Sequence, residues 1–125
     1  MIRLTREEIF IIHEQLIERY GGLHGVRDEN ILDLTLNAPY QTFGEIELYP
    51  GVIEKATRLC FGLVKNHPFY DGNKRIGAMA LLATLDLNNF SVDTNSAELT
   101  EIILSLAAGS IDYDFFLQWV KDRII

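Results

Sequence analysis

Along most of this chain apolar residues recur at three- and four-residue steps, the spacing that lines one face of an α-helix. Thr5-Arg6-Glu7-Glu8 is a capping box, with threonine at the cap and glutamate three residues on. It predicts a first helix with Ile9, Ile12, Leu16 and Tyr20 on its buried stripe, closed by Gly21-Gly22. His13 reads as an ordinary helix-face side chain, and His24, in the loop that follows, as incidental. Asp28 caps a second helix carrying Ile31, Leu32 and Leu36 and stopped by Pro39; Arg27-Asp28 reads as a structural ion pair or cap. From Tyr40 to Pro50 the period lapses around Gly44, Glu45, Glu47 and an exposed-looking Phe43. A third helix spans about Val52 to Asn66, with Ile53, Ala56, Leu59, Cys60, Leu63 and Val64 inward and Lys55, Arg58 and Lys65 on a solvated face.

The fourth helix runs through Ala78, Met79, Leu81, Leu82 and Leu85 to about Asn88-Asn89. Apolar on nearly every side, it is the expected central buried element. A fifth spans about Ser96 to Ala108 and ends at Gly109, and Asp112 caps a last one bearing Phe115, Phe116, Trp119 and Val120 as packing residues. No repeat and no convincing alternation of strand type occurs. The expectation is one all-α domain over residues 1–125, of about six helices.

One polar stretch interrupts the pattern between the third and fourth helices: His67-Pro68-Phe69-Tyr70-Asp71-Gly72-Asn73-Lys74-Arg75. A residue before proline is driven out of the right-handed helical region, so the third helix stops here. Asp71-Gly72-Asn73 then starts the fourth, with Asp71 or Asn73 available as its cap. The first turn of a helix offers unpaired N–H groups and the positive end of the macrodipole. Gly72 lets a ligand approach that backbone, and Lys74 and Arg75 add charge, which together make an anion site suited to phosphate. Asp71 is a hard oxygen ligand suited to a magnesium ion that keeps most of its waters. His67 has the side chain whose ordinary pKa permits proton transfer near neutrality. Phe69 is expected to turn inward and pin the loop. Base, metal ligand and phosphate cradle together point to transfer of a phosphorus-containing group.

Composition narrows the picture. The chain has 125 residues, 48% of them apolar, which excludes disorder and suffices for a real core. No apolar run nears the roughly 20 residues needed to span a bilayer, and the opening residues lack the pattern of a signal peptide, so a soluble protein is expected. The lone cysteine, Cys60, fits a reducing cytoplasm and a buried structural thiol. The net charge of −7 makes direct nucleic-acid binding unfavourable. Yet Lys55 to Arg75 holds five cations against one acid, a local field that attracts anions.

His67 to Arg75 resembles the signature of the Fic/Doc family, H-P-F-x-[DE]-G-N-x-R, at all seven of its specified positions. Gly25-Val26-Arg27-Asp28, Ala38-Pro39 and Leu48-Tyr49-Pro50 are also similar to the short Doc branch. The resemblance implies a Fic-like helical domain with the buried helix after the motif loop. Fic adenylyltransferases usually carry glycine before the arginine and a second arginine three residues after it; here Lys74 and Ala78 stand at those places. Ile76, where Doc-like chains often have threonine, is a minor departure. The Doc arrangement implies a reversed ATP whose γ-phosphate meets the acceptor hydroxyl.

By the same resemblance His67 is the general base toward a serine or threonine hydroxyl and Asp71 the magnesium ligand. Gly72, Asn73, Lys74 and Arg75 hold the phosphates, the two cations also offsetting transition-state charge. The implied protein is a toxin kinase that modifies a translation factor, elongation factor Tu, and is restrained by an antitoxin docking through a C-terminal helix. An adenylyltransferase, and a non-catalytic domain that keeps the motif, are the alternatives. The Tyr40–Pro50 segment resembles a flap that aligns the target peptide by strand addition. Thr94 to Glu98 matches the start of the inhibitory helix motif of self-restrained Fic proteins, but Leu99 breaks it, and the match reads as chance.

Overall fold

Helix boundaries follow short polar side chains. In the computed structural model, which describes residues 1–125, four of six helices begin on a side chain that accepts a backbone N–H. These are Thr5 for α1 (Arg6–Tyr20), Asp28 for α2 (Glu29–Asn37), Asn95 for α5 (Ser96–Ala108) and Asp112 for α6 (Tyr113–Arg123). At α1 the box is complete: the Glu8 N–H donates to Thr5 Oγ1 at 3.1 Å and the Thr5 N–H to Glu8 Oε1 at 3.0 Å. By contrast α3 (Val52–Asn66) and α4 (Asn73–Leu87) begin on glycines, Gly51 and Gly72, with no side-chain cap. Neither Asp71 nor Asn73 is therefore the cap of α4. No helix is long and apolar enough to cross a membrane.

α4 lies between two bodies of core. On one side Leu81 and Leu85 meet Ala56, Cys60 and Val64 of α3, Ile102, Ile103 and Leu106 of α5, and Phe116, Trp119 and Val120 of α6. On the other, Ile76 and Ala80 join Leu4, Ile9, Leu32, Leu36, Leu59, Leu63 and the loop residue Phe69. The helices approach closely because Gly77 has no side chain; a Cβ there would stand 2.7 Å from Val64 Cγ2 and 3.3 Å from the Cys60 carbonyl oxygen. Cys60 is fully buried, and that burial pushes its thiol pKa up, as suits an inert structural residue. The all-α architecture with a central fourth helix stands.

Four local expectations are corrected. The buried stripe of α1 is Ile9, His13 and Ile17, while Ile12 and Leu16 are half-buried and Tyr20 is exposed. Lys55 belongs to no solvated face: it is buried, and its Nζ donates to Glu47 Oε1 at 2.9 Å and to the Tyr49 carbonyl. Arg58 is half-buried against the rings of Tyr49 and Phe61. Phe115 is exposed while its neighbour Phe116 is buried.

The irregular segment holds a hairpin of β1 (Thr42–Phe43) and β2 (Ile46–Glu47), pairing Thr42 with Glu47 and Phe43 with Ile46. Strands this short leave no alternation to read, and both faces are exposed. Lys55 ties β2 to α3.

Candidate active site

The motif loop starts with an unusual backbone. His67 ends α3 at φ 49, ψ 55, in the left-handed region, instead of the extended conformation expected before proline. Arg27 supports that turn: its Nε donates to the His67 carbonyl at 2.7 Å and its Nη2 to the Asn66 carbonyl at 3.1 Å. Arg27 thus caps the carbonyl end of α3, where a cation also complements the macrodipole. It makes no ion pair with Asp28, which caps α2. The imidazole of His67 is exposed.

Beyond Pro68 the chain pairs with the segment before α2. Val26 and Phe69 form an antiparallel bridge, the Arg27 N–H donates to the Pro68 carbonyl at 2.8 Å, and the Tyr70 N–H to the Gly25 carbonyl at 3.3 Å. Phe69 is fully buried, as expected. The side chain of Asn73 closes a ring on it: the Phe69 N–H donates to Oδ1 and Nδ2 donates to the Phe69 carbonyl, both at 3.0 Å. Asn73 is buried and its amide braces the loop, while its backbone N–H has no partner within the helix.

Asp71 is held from outside the motif. The Leu23 N–H donates to its Oδ2 at 2.7 Å, and His13 Nε2 lies 2.7 Å from its carbonyl oxygen. Because a carbonyl only accepts, the proton of His13 sits on Nε2. His13 is fully buried and stacks on Phe69 at 3.8 Å between ring centroids, 12° from parallel. Burial holds its pKa below the ordinary value; the Asp71 carbonyl opposes that.

Gly72 opens α4 at φ 77, a backbone that suits glycine. The first intrahelical bond runs from the Ile76 N–H to the Gly72 carbonyl, so the N–H groups of Asn73, Lys74 and Arg75 have no partner within the helix. They border a groove of about 610 Å³ between the end of α1, α4 and α5, lined at this end by Gly72, Asn73, Lys74 and Arg75 and beyond it by apolar residues such as Met79, Leu82, Leu99 and Leu104. So the side of α4 bearing Ala78, Met79 and Leu82, expected to be buried, opens on this groove. Lys74 and Arg75 are exposed, and the Arg75 guanidinium lies 4.5 Å from the centroid of the Tyr20 ring. His67 and Asp71 stand on the loop leading into this turn and do not line the groove.

No three His, Cys, Asp or Glu side chains converge anywhere, so there is no all-protein metal cage. With Oδ2 of Asp71 taken by Leu23, Oδ1 remains for a cation. One carboxylate beside a turn with open N–H groups is a donor set that would suit magnesium, an ion that keeps most of its waters.

His13 and Arg27 escaped the sequence reading. Their only signals were a polar residue among apolar ones at helical spacing and a cation just before a helix cap. Glu98, the match to the inhibitory motif, is engaged by Arg123 of α6 and by Thr94 Oγ1 at 3.4 Å and makes no salt bridge to Lys74 or Arg75.

A sequence model of the Fic/DOC family matches residues 3–85. The chain is 33% identical over 99 residues to the protein named Toxin Doc of Mycolicibacterium smegmatis, covering 76% of this chain and 75% of that one. It is 28% identical over 111 residues to Protein kinase doc of Escherichia phage P1, covering 89% and 86%. With the motif assembled at the head of a central helix, this chain belongs to the Fic/DOC family.

Proposed function

We propose that this protein is a Doc-type toxin kinase that moves the γ-phosphate of ATP to a serine or threonine hydroxyl of a translation factor. Elongation factor Tu is the target suggested by resemblance. The observation that carries the reading is the open amino-terminal turn of α4: Gly72 supplies no cap, three N–H groups are unpartnered, and Lys74 and Arg75 flank them. The kinase reading is favoured by Lys74 and Ala78 standing where adenylyltransferases carry glycine and arginine, and by the similarity to a protein named a kinase.

In this reading His67 takes the proton of the acceptor hydroxyl as its oxygen bonds to the γ-phosphorus and the bond to the β-phosphate oxygen breaks, releasing ADP. The turn of α4, with Lys74 and Arg75, meets the charge that builds on the transferring group. Asp71 would hold the magnesium ion, which when bound neutralises phosphate charge. The exposed strands of the hairpin offer free backbone groups for an extended acceptor peptide, with Lys55 fixing the base of the hairpin. An antitoxin helix would seat its apolar face in the groove between α1, α4 and α5 and so cover the phosphate-binding turn.

The test is the position of the label. Incubated with magnesium and elongation factor Tu, γ-labelled ATP should mark the factor and α-labelled ATP should not. Labelling from α only would make the protein an adenylyltransferase. No labelling of any protein in a bacterial lysate would leave a non-catalytic domain.

A further inference from the structure

One face of α1 reads the motif residue by residue. His13, Ile17 and Tyr20 follow at steps of four and three, so they lie along one stripe. His13 meets the Asp71 carbonyl at 2.7 Å, and Tyr20 lies under the Arg75 guanidinium at 4.5 Å. Ile17 sits against Gly72, where a Cβ would stand 3.2 Å from Ile17 Cδ1. His13 is the exceptional member. It is fully buried, and its Nδ1 has no hydrogen-bond partner. A leucine or phenylalanine could fill the space without burying an unpaired nitrogen. What an apolar side chain could not supply is the Nε2–H.

The acceptor of that proton is informative. The Asp71 carbonyl and the Gly72 N–H belong to one planar trans peptide and point in opposite directions. Fastening the carbonyl to His13 therefore turns the Gly72 N–H away from α1's interior. It also fixes the Cα that carries the Asp71 carboxylate, whose Oδ2 is held independently by the Leu23 N–H. Two anchors from α1 and the residues just after it thus set the one acid of the motif.

We infer that His13 is a positioning residue of the transfer site: its Nε2–H holds the Asp71 peptide, so that the carboxylate and the first N–H groups of α4 stand in fixed register. The inference rests on reading that turn as a phosphate site. Two variants separate the donor from the ring. His13→Phe keeps the stack on Phe69 and removes the N–H, whereas His13→Gln restores an N–H near the same place.

In ligand-free protein, His13→Phe should speed hydrogen exchange of the Leu23 amide by about tenfold or more. With ATP and elongation factor Tu it should lower kcat about tenfold to hundredfold, as small misplacements of reacting groups do, and leave the KM for the acceptor protein unchanged. His13→Gln should recover most of both. Wild-type Leu23 protection and kcat in His13→Phe would overturn the inference, as would a folded His13→Gln no better than His13→Phe. If His13→Phe does not fold, His13→Gln decides: near-wild-type kcat supports the role, and a tenfold loss at an unchanged melting temperature refutes it. Wild-type protein that transfers nothing from ATP defeats the kinase reading instead, and the Leu23 exchange still decides what His13 holds.

Discussion

Two helix starts in this protein solve the same problem in opposite ways. α1 and α4 are both 15 residues long, and each leaves backbone N–H groups without intrahelical partners at its first turn. At α1 the Thr5 hydroxyl and the Glu8 carboxylate close the turn reciprocally. At α4 a glycine stands at the cap and the turn opens on a groove beside two cations. A side-chain cap is worth about 1 kcal/mol, so the open turn forgoes stability that the chain takes at four other helices. The compensation lies around the turn: the Asn73 ring on Phe69, Arg27 on the end of α3, and the α1 contacts to Asp71. α3 also starts on an uncapped glycine, Gly51, but only at α4 do the open donors stand beside two motif cations and a braced loop.

The largest expected effect comes from removing the proposed base, His67, while leaving the turn intact. His67→Ala should lower phosphate transfer by roughly 10²–10⁴-fold, the usual contribution of a general base. Because His67 has a left-handed backbone, His67→Asn is the better control: asparagine tolerates that conformation and has no basic imidazole. Both variants should bind ATP and melt near the wild-type temperature. Label transfer at the wild-type rate by either would remove His67 from the mechanism.

Next in size is the brace. Asn73→Ala strips partners from a buried N–H and a buried carbonyl of Phe69. Leaving them unpaired should cost roughly 2 kcal/mol, a Tm drop on the order of 6–10 °C. Calorimetry checks the stability, and ATP binding should weaken as the loop loosens. A Tm unchanged within a degree would mean that water replaces the amide and the brace is dispensable.

How far these features were legible depends on the range of the forces that set them. Caps are local, so Thr5, Asp28 and Asp112 announced their helices from the sequence, and the motif stood out as a polar break in the helical pattern because its residues are contiguous. What escaped depends on distant partners. His13 is buried because a loop 58 residues away lays its carbonyl on it, and the helical pattern alone placed it beside the stripe. Lys55 is buried because Glu47 and the Tyr49 carbonyl come to meet it. The motif's own Asp71 and Asn73 looked like caps because both are short and polar, but Gly72 has the positive φ that begins the helix, and their side chains serve the loop instead.

A smaller effect follows from that buried histidine. Its folded-state pKa lies below the ordinary 6.5, mainly through burial; His24 lowers it too, while Glu14, Asp71 and the Asp71 carbonyl raise it. The unfolded chain therefore takes up this proton first as pH falls. The stability His13 contributes is complete above about pH 6.5 and declines below it, by no more than about 1.4 kcal/mol per pH unit for one proton. Urea denaturation at pH 7.5 and pH 5.5 should show a smaller loss in His13→Phe than in wild type. Equal losses would mean that His13 is as easily protonated folded as unfolded.

The smallest effect sharpens the comparison most. Thr5→Ala removes the hydroxyl that accepts the Glu8 N–H and should cost about 1 kcal/mol, seen as a lower urea midpoint at unchanged slope. ATP binding and transfer should not change, because the start of α1 lies a full helix length from its Gly21-Gly22 end, which packs near the motif. The converse substitution is closed to the protein. At Gly72 a side chain would have to be carried at φ 77 with its Cβ 3.2 Å from Ile17 Cδ1, so a serine or aspartate cap on α4 would strain the backbone and push on Ile17. A Thr5→Ala protein that lost transfer activity would show that the two helix starts are coupled, and that the division between a stabilising turn and a binding turn is not real.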